Sequence, residues 1–236
     1  MSTATGKSSN YSLWAYAAAG GVRAVFGLVW AIDAFFKWQP DFYNHYLDQI
    51  TGIVSGQPAW LMPWFNLWVK IISLSPMFFA VMTILVETVI AIGLLFGLGR
   101  KWIYVLGGLF ALTIWAVPEG FGGPYTPGAT DVGGGLVYVI VFLALIVMDY
   151  TLGRSPYSVD YYIEKKAPVW QKIVEWAPGH VLAQEPQRLP WRTQLFIIAG
   201  FVILYALALA IIVSELNMPQ APSSSFNLLQ LLHPLG

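Results

Sequence analysis

Apolar residues run in long blocks along this chain, broken by short polar stretches, and the blocks set the elements. An α-helix rises about 1.5 Å per residue, so about 20 apolar residues cross the hydrocarbon of a bilayer. Five segments approach that length: residues 13–36, 77–98, 102–117, 134–148 and 193–213. The third and fourth are short, about 24 Å or less by that rise, so their connection is expected to dip below the membrane surface, or the bilayer to thin there. Residues 41–75 are too polar and too broken by Gly and Pro to cross. Within them Phe42, Tyr46, Ile50, Ile53 and Val54 recur at helical spacing, and Trp60, Trp64 and Trp68 form an indole stripe. An indole at the headgroup zone buries its ring and wets its N–H. This segment therefore reads as one or two helices lying on the outer face as a cap. Residues 151–192, rich in proline, read as a short surface helix within an irregular connection, and residues 215–236 as a loose outer tail.

Composition turns this pattern into a class. Hydrophobic residues make up 57% of the 236, charged residues 10%, and mean hydropathy is +0.63, against about 25% charged residues in a soluble domain. The expectation is an all-α integral membrane protein of the plasma membrane, with the lipid bilayer as its first partner. A formal net charge of zero gives no basic excess for nucleic acid. No cysteine is present, so the chain holds no disulfide, thiolate-ligated iron–sulfur cluster or redox thiol. His45, His180 and His233 lie outside the spans, so no intrinsic haem or metal is expected. The first apolar run is too long for a signal-peptide core and reads as a retained helix. With the N-terminus cytoplasmic, nine of the twelve basic residues lie inside (Lys7, Arg100, Lys101, Arg154, Lys165, Lys166, Lys172, Arg188, Arg192), and only Lys37 and Lys70 outside. The positive-inside bias then sets N-terminus in and C-terminus out.

Arg23 and Glu87 are the charges set deepest in apolar sequence, each about ten residues in from the same expected membrane face. Charge at that depth is costly, tends to be paired and marks a site, so Arg23 and Glu87, on antiparallel helices, are expected to contact each other as an ion pair or to share one polar partner. Such a contact is read either as a clasp fixing helix register or as an anion and proton site. Arg23, Gly27, Trp30 and Lys37 fall near one stripe, with Asp33 one turn before Lys37. Residues 118–135 hold seven Gly and three Pro, a mixture that suits a tightly folded loop whose N–H groups form an anion nest. Glu119 and Asp131 there are candidate proton carriers, with helix capping the simpler role for Asp131. The loop and the tryptophan cap are expected to close a pocket near Arg23, Asp33, Lys37, Glu119 and Asp131. Trp30 and Trp115 are candidate walls for an apolar ligand.

With those residues in view, positions 1–150 resemble the DoxX/DoxD family of small membrane proteins. The likeness lies in Arg23-Ala-Val-Phe-Gly27 with Trp30 and Lys37, in Glu87, in the Gly99-Arg-Lys101 turn, and in the blocks Glu119-Gly-Phe-Gly-Gly-Pro-Tyr125 and Gly128-Ala-Thr-Asp-Val-Gly133. The resemblance implies a four-helix membrane bundle, here extended by a cytoplasmic connection (151–192), a fifth helix (193–214) and the outer tail. For the DoxD branch it implies the membrane subunit of a thiosulfate:quinone oxidoreductase, with quinone as the ligand and a second subunit beside it. The alternative is a non-catalytic accessory subunit of a larger membrane oxidoreductase complex, favoured by the added helix and the absence of any redox ligand.

Overall fold

The computed structural model describes residues 4–123, 132–176, 189–196, 199, 200, 203 and 206. The described structure is helical, and the chain divides into two units, Met1–Pro190 and Trp191–Gly236. In the first unit the helices are α1 (Ala4–Lys37), α2 (Pro40–Asn44), α3 (Tyr46–Gly52), α4 (Met62–Ser73), α5 (Pro76–Phe96), α6 (Arg100–Ala116), α7 (Gly134–Leu152), α8 (Val159–Lys166) and α9 (Pro168–Val174). In the second unit, the described residues are helical from 191 onward. Most of the expected fifth span, and all of the tail, lie outside the described residues.

Prolines open α2, α5 and α9 at a position whose N–H has no partner in a helix, and their fixed φ pre-sets the first turn. The α5–α6 corner needs only Gly97, Leu98 and Gly99. Gly97 is left-handed (φ 62°), and the Leu98 N–H donates to Gly93 O at 3.0 Å to close the helix end. A side chain at Gly97 would also collide with the Arg23 guanidinium, so this position admits glycine on two counts.

Four helices surround one core. α1 packs along α5, α6 along α7, and the pairs meet through α5–α6 and α1–α7. Phe26 and Trp30 of α1, Ile90 and Leu94 of α5, Tyr104 and Ala111 of α6, and Phe142 and Leu145 of α7 form the shared apolar centre. Gly27 lets α1 approach the α5 backbone so closely that an added Cβ would stand 2.8 Å from Leu95 N. The outward positions Val89 and Ile92 of α5, Leu109 and Leu112 of α6, and Ile140, Leu143 and Val147 of α7 are exposed and apolar, the surface that lipid requires. Among the described residues three helices are long and apolar enough to cross a membrane, within Leu13–Lys37, Pro76–Phe96 and Gly134–Leu152. The 17 residues of α6 leave it short, matching its brief apolar run.

The cap and the connection differ from expectation. Residues 40–73 form three helices, and Trp64 and Trp68 turn toward protein. Trp64 Nε1 donates to Ala116 O at 2.8 Å, whereas Trp60 alone of the stripe is strongly exposed. The connection after α7 is a folded pair, α8 and α9, with Asp160 and Glu164 buried, because it answers a buried arginine described below.

Gly107 is the tightest point of the α6–α7 pair, since a Cβ there would overlap the Phe142 ring, while one at Gly108 would meet Phe142 Cβ at an ordinary 3.5 Å. Gly107→Ala should lower stability by about 1–3 kcal/mol through overpacking. Gly108→Ala should be neutral or slightly stabilising. Thermal unfolding of both purified variants in detergent compares them directly, and an equal effect at the two sites would contradict this packing.

Candidate functional site

Arg23 and Glu87 do not meet. α1 and α5 run antiparallel with Arg23 level with Gly97, at the end of α5, and Lys37 level with Glu87. The close approach at Gly27 fixes this register, about ten residues away from the one that equal depths implied. Each charge therefore has its own partners. Lys37 Nζ lies 2.9 Å from Glu87 Oε2, and Arg23 Nη2 donates to Tyr157 O at 2.7 Å. Fourteen residues of α1 separate Arg23 from Lys37, about 21 Å at helical rise. Among the described residues the two charges thus mark two polar sites, one at each end of the bundle.

At the Lys37 end, α2, α3 and α4 roof a cavity of about 400 Å³ over α5 and α6. This size lies within the range of small-molecule sites. Its walls are largely aromatic and aliphatic: Phe42, Tyr46, Ile50, Trp68, Ile72, Phe79, Met82, Val86, Phe110 and Ile114. The polar groups are few and gathered. Glu87 is 1% exposed, and its partner Lys37 keeps about a quarter of its side chain open while standing 5.8 Å over the Phe42 ring. The Tyr46 hydroxyl is 3.3 Å from Thr83 Oγ1, and burial, aided by the nearby Glu87 charge, pushes its pKa up and keeps it a neutral donor. Trp68 Nε1 is buried without a hydrogen-bond partner among the described residues. A buried indole N–H in that state costs free energy that an acceptor in the cavity would recover.

The remaining expected site residues take other places. Asp33 accepts from the Tyr138 hydroxyl at 3.4 Å. Trp30, 1% exposed, sits in the core among Phe26, Phe110, Tyr138 and Phe142. Glu119 caps α7, accepting the Gly135 N–H at 2.8 and 3.0 Å through its two oxygens. That N–H, expected to bind an external anion, is therefore held by the chain's own carboxylate. Trp115 Nε1 donates to Val132 O at 2.8 Å and packs edge-on to Phe121, whose φ of 60° is unusual for a bulky residue. Trp64 and Phe65 complete that ring cluster and pin the loop start to the cap. Asp131 lies outside the described residues. The expected five-residue pocket is thus not assembled: Arg23 is at the far end, and Glu119 is occupied.

At the Arg23 end stands a cluster the sequence reading missed. Arg100, 1% exposed, is engaged by Asp149 at 2.5 Å, by Asp160 at 3.4 Å and by Glu175. Asp160 also caps α6 from another helix, accepting from Gly99 N and Arg100 N at 2.9 Å each and from Trp170 Nε1 at 2.9 Å. Arg154 Nε donates to Glu164 Oε2 at 2.7 Å. The available signals were Ser158, which caps α8 by accepting from Tyr161 N, and four acids falling between 149 and 175. In the sequence Arg100 itself reads as a topology-setting charge and as part of the Gly99-Arg-Lys101 turn. Among the described residues no group of three or more His, Asp or Glu is placed to hold a metal ion.

Comparison with family models, with curated proteins and with solved structures returns no match.

Lys37→Met would strand Glu87 beneath the cap and should cost up to about 3 kcal/mol, the lower range for breaking a buried pair, because Lys37 is partly open. Adding Glu87→Gln should restore most of that loss. Unfolding of the single and double variants measures the coupling; additive losses would show that the two groups act independently.

Proposed function

We propose that this chain is the quinone-binding membrane subunit of an oxidoreductase, with the capped cavity as the quinone site. The cavity itself carries the reading: a large apolar, aromatic chamber with its polar groups collected around Lys37 and Glu87. A quinone head is flat, neutral and bears two carbonyl acceptors. Aromatic walls suit its ring, and Trp68 Nε1 and Lys37 Nζ are donors suited to its oxygens. An isoprenoid tail suits the apolar outer surface of the helices.

The same geometry speaks against an oxyanion in this cavity. Lys37 is already neutralised by Glu87, Asp33 adds negative charge beside it, and Arg23 is at the other end. Thiosulfate, which the DoxX/DoxD resemblance supports as electron donor, would then be handled at a second subunit, and two electrons would reach the quinone from there. The resemblance also supports reading the four packed helices as four spans, with the fifth beyond them. By the distribution of Lys and Arg, the Arg100 end faces the cytoplasm and the cavity the outer side of the plasma membrane.

Protein reconstituted in nanodiscs and titrated with a short-chain benzoquinone should show saturable quenching of tryptophan fluorescence. Ile114→Trp, which fills the cavity, should abolish it, and Trp68→Phe should weaken binding about fivefold, the value of one hydrogen bond. Equal binding by wild type and Ile114→Trp would remove the cavity as the quinone site. No binding by the wild type would leave the accessory-subunit reading in its place.

Orientation has its own check. Ser55→Cys and Lys166→Cys, both at exposed positions, should react with an impermeant thiol reagent from opposite sides, Ser55→Cys in intact cells and Lys166→Cys only after lysis. The reverse pattern would invert the topology.

A further inference from the structure

Four carboxyl groups converge at the arginine end, and they outnumber the positive charges that meet them. Asp149 comes from α7, Asp160 and Glu164 from α8, and Glu175 from the residue after α9. All four are buried. Arg100 from α6 and Arg154 from the α7–α8 segment touch them directly. Arg23 of α1 stands nearby but donates to Tyr157 O. Among the described residues Arg100 and Arg154 alone make ion pairs with these four carboxyls, while Arg23 and Lys101 stand by without one, so the contacts leave a surplus of negative charge in a buried site. Such a charge is removed most cheaply by binding a proton.

The hydrogen bonds locate that proton. Asp160 has both oxygens filled by N–H donors, and Asp149 Oδ1 is held by Arg100 Nη1. Glu175 Oε1 takes Arg100 Nη2. Glu164 is served on one oxygen only: Oε2 accepts from Arg154, whereas Oε1 is 3.6 Å from Arg100 Nη2 and has no hydrogen-bond partner among the described residues. Asp149 Oδ2 is likewise without a partner, but Glu164 Oε1 is the vacant oxygen that meets a second carboxyl, since it and Glu175 Oε1 approach the same Arg100 Nη2. A proton there would turn two repelling acids into a donor and an acceptor.

We propose that Glu164 and Glu175 share one proton, and that this carboxyl pair is a pH-dependent latch holding α8 and the end of α9 on the α6–α7 corner. Burial, and next the charge and hydrogen bond of Glu175, push the Glu164 pKa up to about 7, against the opposing pull of Arg100 and Arg154. The sign follows from linkage: a carboxyl raised in the folded state contributes stability that is complete below its unfolded value, about 4.5. That contribution is lost as pH rises through about 7. The other groups facing the pair are Asp149 and Asp160, Tyr16 and Arg23 of α1, Tyr104 of α6, and Lys101, whose ammonium stands 5.4 Å over the Trp176 ring beside Glu175. Loss of the proton leaves two adjacent carboxylates on one side of Arg100, so α9 is the element released. The proposal is independent of what the cavity binds.

The full chain in nanodiscs, heated at a series of pH values from 5.5 to 8.5, provides the test, roughly spanning the window given by that linkage. The wild-type unfolding temperature should fall as pH rises through about 7. Glu164→Gln, an uncharged copy of the protonated form, should flatten that slope, and so should Glu175→Gln. Asp48→Asn, at an exposed carboxylate far from the cluster, should keep it. Infrared difference spectra of the wild type between the two pH extremes should show a protonated-carboxyl stretch that disappears on alkalinisation and is missing in Glu164→Gln. An unchanged slope in the Gln variant that folds, or an infrared band that Glu164→Gln leaves in place, overturns the latch.

Discussion

A guanidinium group buried as fully as Arg100 must bring its anions with it, and that requirement dictates how one end of the bundle is built. Removing such a charge from water costs several kcal/mol, recovered only when partners fill its donors in good geometry. The anions arrive from the last turn of α7, from the buried face of α8 and from the residue after α9. Each of those elements is positioned by the same cation. Asp160 adds a second constraint, since its carboxylate also closes the open N–H groups of α6. The start of one long helix, the end of another and the whole connection are thereby joined in one network, where partial satisfaction would cost more than an apolar contact.

The cavity depends on a different constraint, the register between α1 and α5. Because Gly27 seats against the backbone around Leu94 and Leu95, Lys37 is carried to Glu87 and Arg23 to the α5–α6 corner. This register separates the two polar sites, so the cavity is left with one neutralised cation and a mostly aromatic wall. Its roof is tied to α6 by the bond from Trp64 to Ala116, while Trp38 Nε1 to Thr88 Oγ1 at 3.1 Å ties the end of α1 to α5 and Trp115 to Val132 ties α6 to the loop before α7. An apolar chamber of this size beneath short helices persists because those ties are made to backbone and side chain rather than to water.

The long apolar blocks made α1, α5, α6 and α7 legible, since helix length and hydropathy are local properties of sequence. Glu87 was recognised as a buried charge and Lys37 as one at the outer end of its helix, but not as each other's partner. Pairing depends on helix register, which a glycine contact fixes and equal depth along two apolar runs does not. Trp68 was legible as part of a stripe, although whether an indole turns toward lipid headgroups or toward protein depends on what lies above it. The Arg100 cluster was the largest omission. Its acids sit 49 to 75 residues downstream of the arginine, and in a single sequence they look like the ordinary charges of a polar connection.

That separation along the chain has a consequence for biosynthesis. When α5 and α6 emerge from the ribosome, none of the acids that will neutralise Arg100 has yet been made, because Asp149, Asp160 and Glu175 follow 49, 60 and 75 residues later. Until then the Arg100 guanidinium has none of the partners that its burial requires. Only once α9 has left the ribosome can the guanidinium be withdrawn from water. One residue thus waits without its counter-ions while two further helices are made and then becomes the bolt that closes the finished fold.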